Sequence, residues 1–145
     1  MSAPRPHVVS GAQRRPFTAF ERVMLVAEIL VTYLRVRRVV KRRDLREVVA
    51  VLRSGAPEAR ADSAVVRRVA YRLASAVHRT LGPLPIDSRC LMRSLVLSGM
   101  LARRGVGTTV LVGVRVAPDF GAHAWVEYQG CALLPPLDVD RLVEI

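Results

Sequence analysis

Two residues of this chain have types and neighbours suited to nucleophilic catalysis. Cys90 opens an apolar helical pattern, and His123 sits inside Ala122-His123-Ala124-Trp125-Val126-Glu127. A thiol beside an imidazole is the core of a cysteine nucleophile: the base takes the proton and the sulfur attacks an acyl carbon. In the first turn of a helix, Cys90 meets free backbone N–H groups and the positive end of the helix dipole. Both favour a thiolate, and the same N–H groups can hold an oxyanion. Arg89 and Arg93 add positive potential nearby. His123 alternates with Trp125 and Glu127, so the three share one face of a strand. Each residue also has a plainer reading. Cysteine is often a small packed apolar residue, and a lone histidine beside a tryptophan is often part of a core.

The order of elements favours the pair. Between Cys90 and His123 lie a helix, a glycine stop, one strand and a return. A strand returning antiparallel onto a capped helix start can place the imidazole on the sulfur. A third residue usually orients the imidazole. The strand after His123 offers no carboxylate, and Asp138 and Asp140 follow Pro135-Pro136. Asp138 comes sooner after the strand and is the better candidate; Asp119 and Glu127 are weaker ones. His7 and His78 are assigned no function, and Cys131 reads as a packed small side chain. No Cys-x-x-Cys is present and the histidines are scattered, so neither a metal site nor a cofactor is expected. A phosphate-cradling Gly-x-x-x-x-Gly-Lys loop is absent too.

The elements that must position these groups follow from pattern. Residues 1–16 read as a disordered basic tail. Thr18-Ala19-Phe20-Glu21 has the form of a capping box. A stripe of Phe20, Val23, Met24, Ala27, Leu30, Val31 and Leu34 follows at helical spacing. The spacing predicts a helix to about Val40, ending in arginines that suit its negative end. Asp44 can cap a second helix, with Leu45, Val48, Val49 and Leu52 as its stripe and Gly55 as its stop. A third runs from Asp62 or Ser63 to Gly82, with Val65, Val66, Val69, Ala70, Leu73, Ala76 and Val77 inward. Pro83 and Pro85 force an extended turn. Asp87 or Ser88 caps a fourth helix, which Arg103, Arg104 and Gly105 close.

The period then changes to alternation. Thr108–Val116 and Ala122–Tyr128 read as strands, and Gln129-Gly130 as a tight turn into Cys131–Leu134. Asp138 to Ile145 reads as a short tail with a final helical turn. Helices followed by an antiparallel meander predict an α+β class. The division is a helical region over 17–82 and a core carrying the chemistry over 83–145.

Bulk properties bound the partners. At 145 residues the chain fits one domain. Hydrophobic residues make up 51%, a share that points to a sticky surface covered by a partner. The run Val23–Leu34 is broken by Glu28 and is too short to span a bilayer. With no apolar signal-peptide core, the protein reads as cytoplasmic, where a structural disulfide is not expected. The net charge of +11 fits an anionic partner. Aromatics are 5% and do not interleave with the basic run at Arg35–Arg43, which argues against nucleic acid.

Together, Cys90-Leu91-Met92-Arg93-Ser94-Leu95, Leu111-Val112-Gly113-Val114 and Ala122-His123-Ala124-Trp125-Val126-Glu127 with Gly130 resemble the transglutaminase-like cysteine-protease superfamily. Within it, they are most similar to the leader peptidases of lasso-peptide biosynthesis. The motif-bearing match covers Pro83 to Ile145, and its two halves are specific in combination. The resemblance implies a catalytic helix packed on a small antiparallel sheet. It implies a peptidase that cuts the leader from a ribosomally made precursor peptide, with Cys90 as nucleophile and His123 as base. It also implies partners: the precursor, a separate leader-recognition-element protein, and an ATP-dependent cyclase that closes the released core. The basic, apolar N-terminal helices are the expected docking face for the recognition element and an acidic leader. The family's acidic third member would stand near Leu134 or Pro135, where this chain has no carboxylate. That departure supports a competing reading, a non-catalytic peptide-binding adaptor of the same fold.

Overall fold

The computed structural model describes residues 18–44, 46–48, 50, 63–85, 89–115, 121–133 and 141–144. The expected tail, the Gly55 stop, the caps Asp62, Asp87 and Ser88, and Asp119, Asp138 and Asp140 lie outside these residues.

Helix α1 spans Ala19–Val40. The capping box forms: Thr18 Oγ1 accepts from Glu21 N–H, and the Glu21 carboxylate accepts from Thr18 N–H at 2.8 Å. Residues 46–48 are helical, and Val48 is fully buried. Helix α2 spans Ser63–Leu81 and α3 spans Arg89–Ala102. Gly105, at φ 73°, takes the left-handed conformation that terminates α3.

Four strands follow: β1 (Thr109–Arg115), β2 (Gly121–Tyr128), β3 (Cys131–Ala132) and β4 (Arg141–Glu144). They form one sheet in the order β3-β2-β1-β4, with every pair antiparallel. The β2–β3 turn is made by Gln129 and Gly130, both at positive φ, as a twist-matched hairpin requires. The class is α+β, as the order of patterns predicts. For the last segment the expectation fails. Residues 141–144 are not a helical turn but a strand, paired with Leu111–Val114 of β1. The pairing supplies partners for backbone groups that would otherwise be exposed along β1.

Helix α3 is the centre of the core. Met92, Leu95, Val96, Leu97, Met100 and Leu101 are all buried. Ile29 and Val36 of α1, and Val66, Ala70, Leu73, Ala74, Val77 and Leu81 of α2, pack with them, and Val110, Val126 and Leu133 join from the sheet. Val65 and Val69, expected inward on α2, are exposed. The buried stripe of that helix is narrower than its apolar content. On α1 the buried positions are Ile29, Thr32 and Val36. The stripe from Phe20 to Leu34 therefore lies on the opposite side, in solvent.

A polar clamp ties α1 to the end of α3. Arg104 Nη1 and Nη2 donate to the two Glu28 carboxylate oxygens at 2.8 and 2.7 Å. Arg103 Nη2 donates to Thr32 Oγ1 at 2.6 Å, and Thr32 in turn donates to the Glu28 carbonyl. The Arg104 hydrogen bond holds the Glu28 carboxyl below its usual range, against the opposing effect of burial. Fork-on-fork pairing of this kind is the strong form of a charge-assisted bond, weakened here by partial exposure. Replacing Arg104 by Ala should lower the unfolding free energy by about 1 kcal/mol, and Glu28→Gln by a similar amount. In a double-mutant cycle by urea denaturation the two losses should not add.

Candidate active site

Cys90 occupies the first turn of α3 and is half-buried. N–H groups in that turn have no acceptor within the helix, so donors are available around the sulfur. The sulfur reaches the sheet. Cys90 Sγ lies 3.9 Å from the carbonyl oxygen of Ala122, the residue before His123.

Strand parity explains this contact. Val126 O accepts from Leu133 N–H, so the carbonyls of even-numbered β2 residues point toward the β3 edge. Among the described residues β3 pairs only with Glu127 and Tyr128, with the one further bond from Leu133. The carbonyl of Ala122 thus faces an edge that β3 does not cover. The start of α3 stands at that edge and supplies the thiol as a weak donor.

His123 lies opposite Gly113 of β1. Alternation sends Val126 into the helical core and His123, Trp125 and Glu127 to the other face. The imidazole stacks on the Trp125 indole, with centroids 6.1 Å apart and planes 17° from parallel. Trp125 Nε1–H donates to Glu127 Oε1 at 3.0 Å. Glu127 therefore acts through the indole: it fixes the ring against which His123 rests. Burial pushes the imidazole pKa below its ordinary value, so the ring is neutral and able to accept a proton at neutral pH.

The structure brings Cys90 to the residue next to His123 but makes no hydrogen bond between the two side chains. Asp138, expected to orient the ring, lies outside the described residues, as does Asp119. Glu127 bonds to Trp125, not to the imidazole. Cys131, expected to be packed, is exposed at the start of β3.

One contributor was missed. His78, assigned no function, has Nδ1 3.3 Å from Nη1 of Arg93. Arg93 stands one turn beyond Cys90, so the pair ties the end of α2 to the first turns of α3. Adding a Cβ at Gly82 would bring it within 2.7 Å of the His78 carbonyl oxygen, so the chain leaves α2 under close contact there. The i, i+3 relation of Cys90 and Arg93 was a legible signal, but its partner on another helix was not.

A family model described as the transglutaminase-like superfamily matches residues 29–143. The chain belongs to that superfamily. The match takes in α1 from its buried Ile29 onward, both other helices and the strands to Val143. No curated protein and no solved structure matches the chain significantly. No described helix of this transglutaminase-like protein is long and apolar enough to cross a membrane.

An NMR titration of His123 should show a midpoint below the usual value of about 6.5. Trp125→Leu should move that midpoint upward, because water then reaches the ring. The sign for stability follows. Below about pH 6.5 the unfolded chain binds a proton that the buried ring resists, so this residue's contribution to stability falls as pH drops.

Proposed function

We propose that this protein is a cysteine peptidase that removes the leader from a ribosomally made precursor peptide of the lasso type. The observation carrying the reading is the Cys90 thiol at the start of α3, in contact with β2 at the residue beside a neutral His123. Superfamily membership supports the acyl-transfer chemistry. The pairing of Cys90-Leu91-Met92-Arg93-Ser94 with His123-Ala124-Trp125-Val126-Glu127 supports the narrower assignment by resemblance.

The chemistry runs as acyl transfer. His123 takes the thiol proton, and the Cys90 sulfur attacks the carbonyl carbon at the leader–core junction. The tetrahedral oxyanion sits against N–H groups of the first turn of α3, with that of Cys90 as a candidate donor. The C–N bond then breaks as His123 returns the proton to the leaving amine. Water, activated by His123, hydrolyses the thioester and frees the thiol. The step needs the imidazole to leave Trp125 and turn toward the edge of β2 that carries the Ala122 carbonyl. Catalytic hydrogen bonds are commonly loose before substrate binds. Asp138 is the proposed orienting carboxylate. A separate leader-recognition protein would present the precursor, and a cyclase would consume the released core.

A second reading, a peptide-binding adaptor, is favoured by one observation: the thiol meets a backbone carbonyl rather than the imidazole. Mass spectrometry of a lasso-type precursor incubated with the protein and a recognition partner separates the two. The wild type should cut at one junction. Cys90→Ala should lose at least about a thousand-fold in rate while melting and binding stay unchanged. Cleavage by neither protein, with peptide binding intact, would move the assignment to the adaptor. For the wild type, kcat/KM should persist on the acid side to below about pH 6.5.

A further inference from the structure

Helix α1 is apolar on two sides. One side enters the core through Ile29 and Val36. The other carries Phe20, Val23, Met24, Leu30, Val31 and Leu34, which are 38% to 73% exposed. The stripe is about 21 Å long, and no charged or hydrogen-bonding side chain interrupts it. An exposed apolar face of this size marks an interaction site.

The charge beside the stripe is all of one sign. Six of the nine residues from Arg35 to Arg43 are cationic. At roughly 3.6 residues per turn, Arg35 and Arg37 leave the helix about 80° to either side of the stripe's mid-line, and Arg38 continues that line beyond Leu34. Among the described residues no carboxylate lies in ion-pair reach of Arg35, Arg37, Arg38, Lys41 or Arg42. The two acids of α1 are engaged away from this face. Glu21 accepts from Thr18 N–H in the capping box, and Glu28 is held by the Arg104 fork. The outward face therefore joins hydrocarbon to positive charge, with no acidic group between them.

That combination is complementary to an anionic lipid surface. Acyl chains receive an apolar ridge without needing a groove shaped to it, and headgroup phosphates lie at the height of flanking guanidinium groups. Arginines at the border of a stripe can lay their stems along the apolar boundary and keep their charge among the headgroups. A protein partner would have to wrap a convex helix and also set carboxylates opposite Arg35, Arg37 and Arg38 at fixed points. The Glu28–Arg104 fork ties α1 to the body of the protein, so the helix can lie along a membrane with its outward side alone in contact. We propose that the outward face of α1 docks on an anionic membrane, with the stripe from Phe20 to Leu34 set into one leaflet and Arg35, Arg37, Arg38 and Lys41 on its phosphates. Neither the thiol nor the imidazole takes part, so this site stands or falls independently of the peptidase reading.

Flotation of the full chain with vesicles of equal parts phosphatidylglycerol and phosphatidylcholine tests this. The protein should float with these vesicles and bind at least about tenfold more weakly to phosphatidylcholine alone. Cys90→Ala should bind as the wild type does. The double variant Val23→Glu, Val31→Glu should lose at least about tenfold in binding, with melting unchanged because both side chains are exposed. Arg37→Glu with Arg38→Glu should lose a similar factor. Arg37→Lys with Arg38→Lys should keep the binding, since a headgroup layer reads charge and not the guanidinium fork. Phe20→Trp reports insertion. Over the background of Trp125, the only native tryptophan, its emission should shift to the blue on the mixed vesicles and be quenched by lipids brominated on their acyl chains. Protein left in the aqueous fraction would overturn the proposal and give the face to an acidic protein partner. Floating protein that is indifferent to Val23→Glu with Val31→Glu, or whose Phe20→Trp indole stays in water, would overturn it too, by reducing the contact to adsorption through net charge.

Discussion

The burial of α3 on every side is the constraint on which the rest of the structure depends. Two helices and a sheet all need the same rod of side chains to complete their own burial. Met92, Leu95, Val96, Leu97, Met100 and Leu101 between them face α1, α2 and the strands, and Val110, Val126 and Leu133 complete the contact from the sheet. A helix held on all sides cannot slide along its axis without opening voids, and interiors packed to crystal-like density resist that strongly. The Cys90 sulfur inherits this fixity. Its position against the β2 edge is set by packing two and three turns further along the same helix, and by Arg93 on His78 near its start. At the far end, the Glu28–Arg104 fork and the Arg103–Thr32 bond hold α1 to the turn that leaves α3.

The sheet contributes in a different way. Its parity decides which groups of β2 face the thiol. Odd residues show their side chains to one face, while even residues turn their carbonyls toward the edge that β3 leaves open beside Ala122. The sulfur and the imidazole are thus delivered to neighbouring residues by two separate rules, helix packing and strand alternation. Neither rule by itself makes them touch. Trp125 adds a third influence, since it occupies the imidazole in the resting arrangement and is itself held by Glu127.

Features that are local were legible in the sequence. The Thr18–Glu21 capping box, the Gly105 stop and the Gln129-Gly130 turn each depend on a few adjacent residues, and each stands where the pattern put it. The fold class followed from the change of period after Gly105. Features that depend on distant partners were not legible. Arg141–Glu144 is too short to carry a strand signal of its own, and it becomes a strand only because β1 offers an unpaired edge. Glu28 gave no sign of Arg104, which folding alone brings within reach. The Cys90–His123 pairing was readable as a chemical possibility. The register that leaves the sulfur at the Ala122 carbonyl was not, because a shift of one residue exchanges the two faces of a strand.

Helix α1 shows the limit of periodicity most clearly. Its best apolar stripe, Phe20 to Leu34, is the one a pattern search selects, yet the core takes the other side, through Ile29, Thr32 and Val36. A helix apolar all round has no preferred face from its own sequence, and its neighbours choose. Here the choice is decided by polar partners. Glu28 and Thr32 lie on the side that meets Arg103 and Arg104, and turning the helix over would break those bonds, including the one that Arg103 Nη2 donates to Thr32 Oγ1 at 2.6 Å. The clamp thereby does two things at once. It orients α1 toward the body of the protein, and it leaves the uncharged stripe from Phe20 to Leu34 outward.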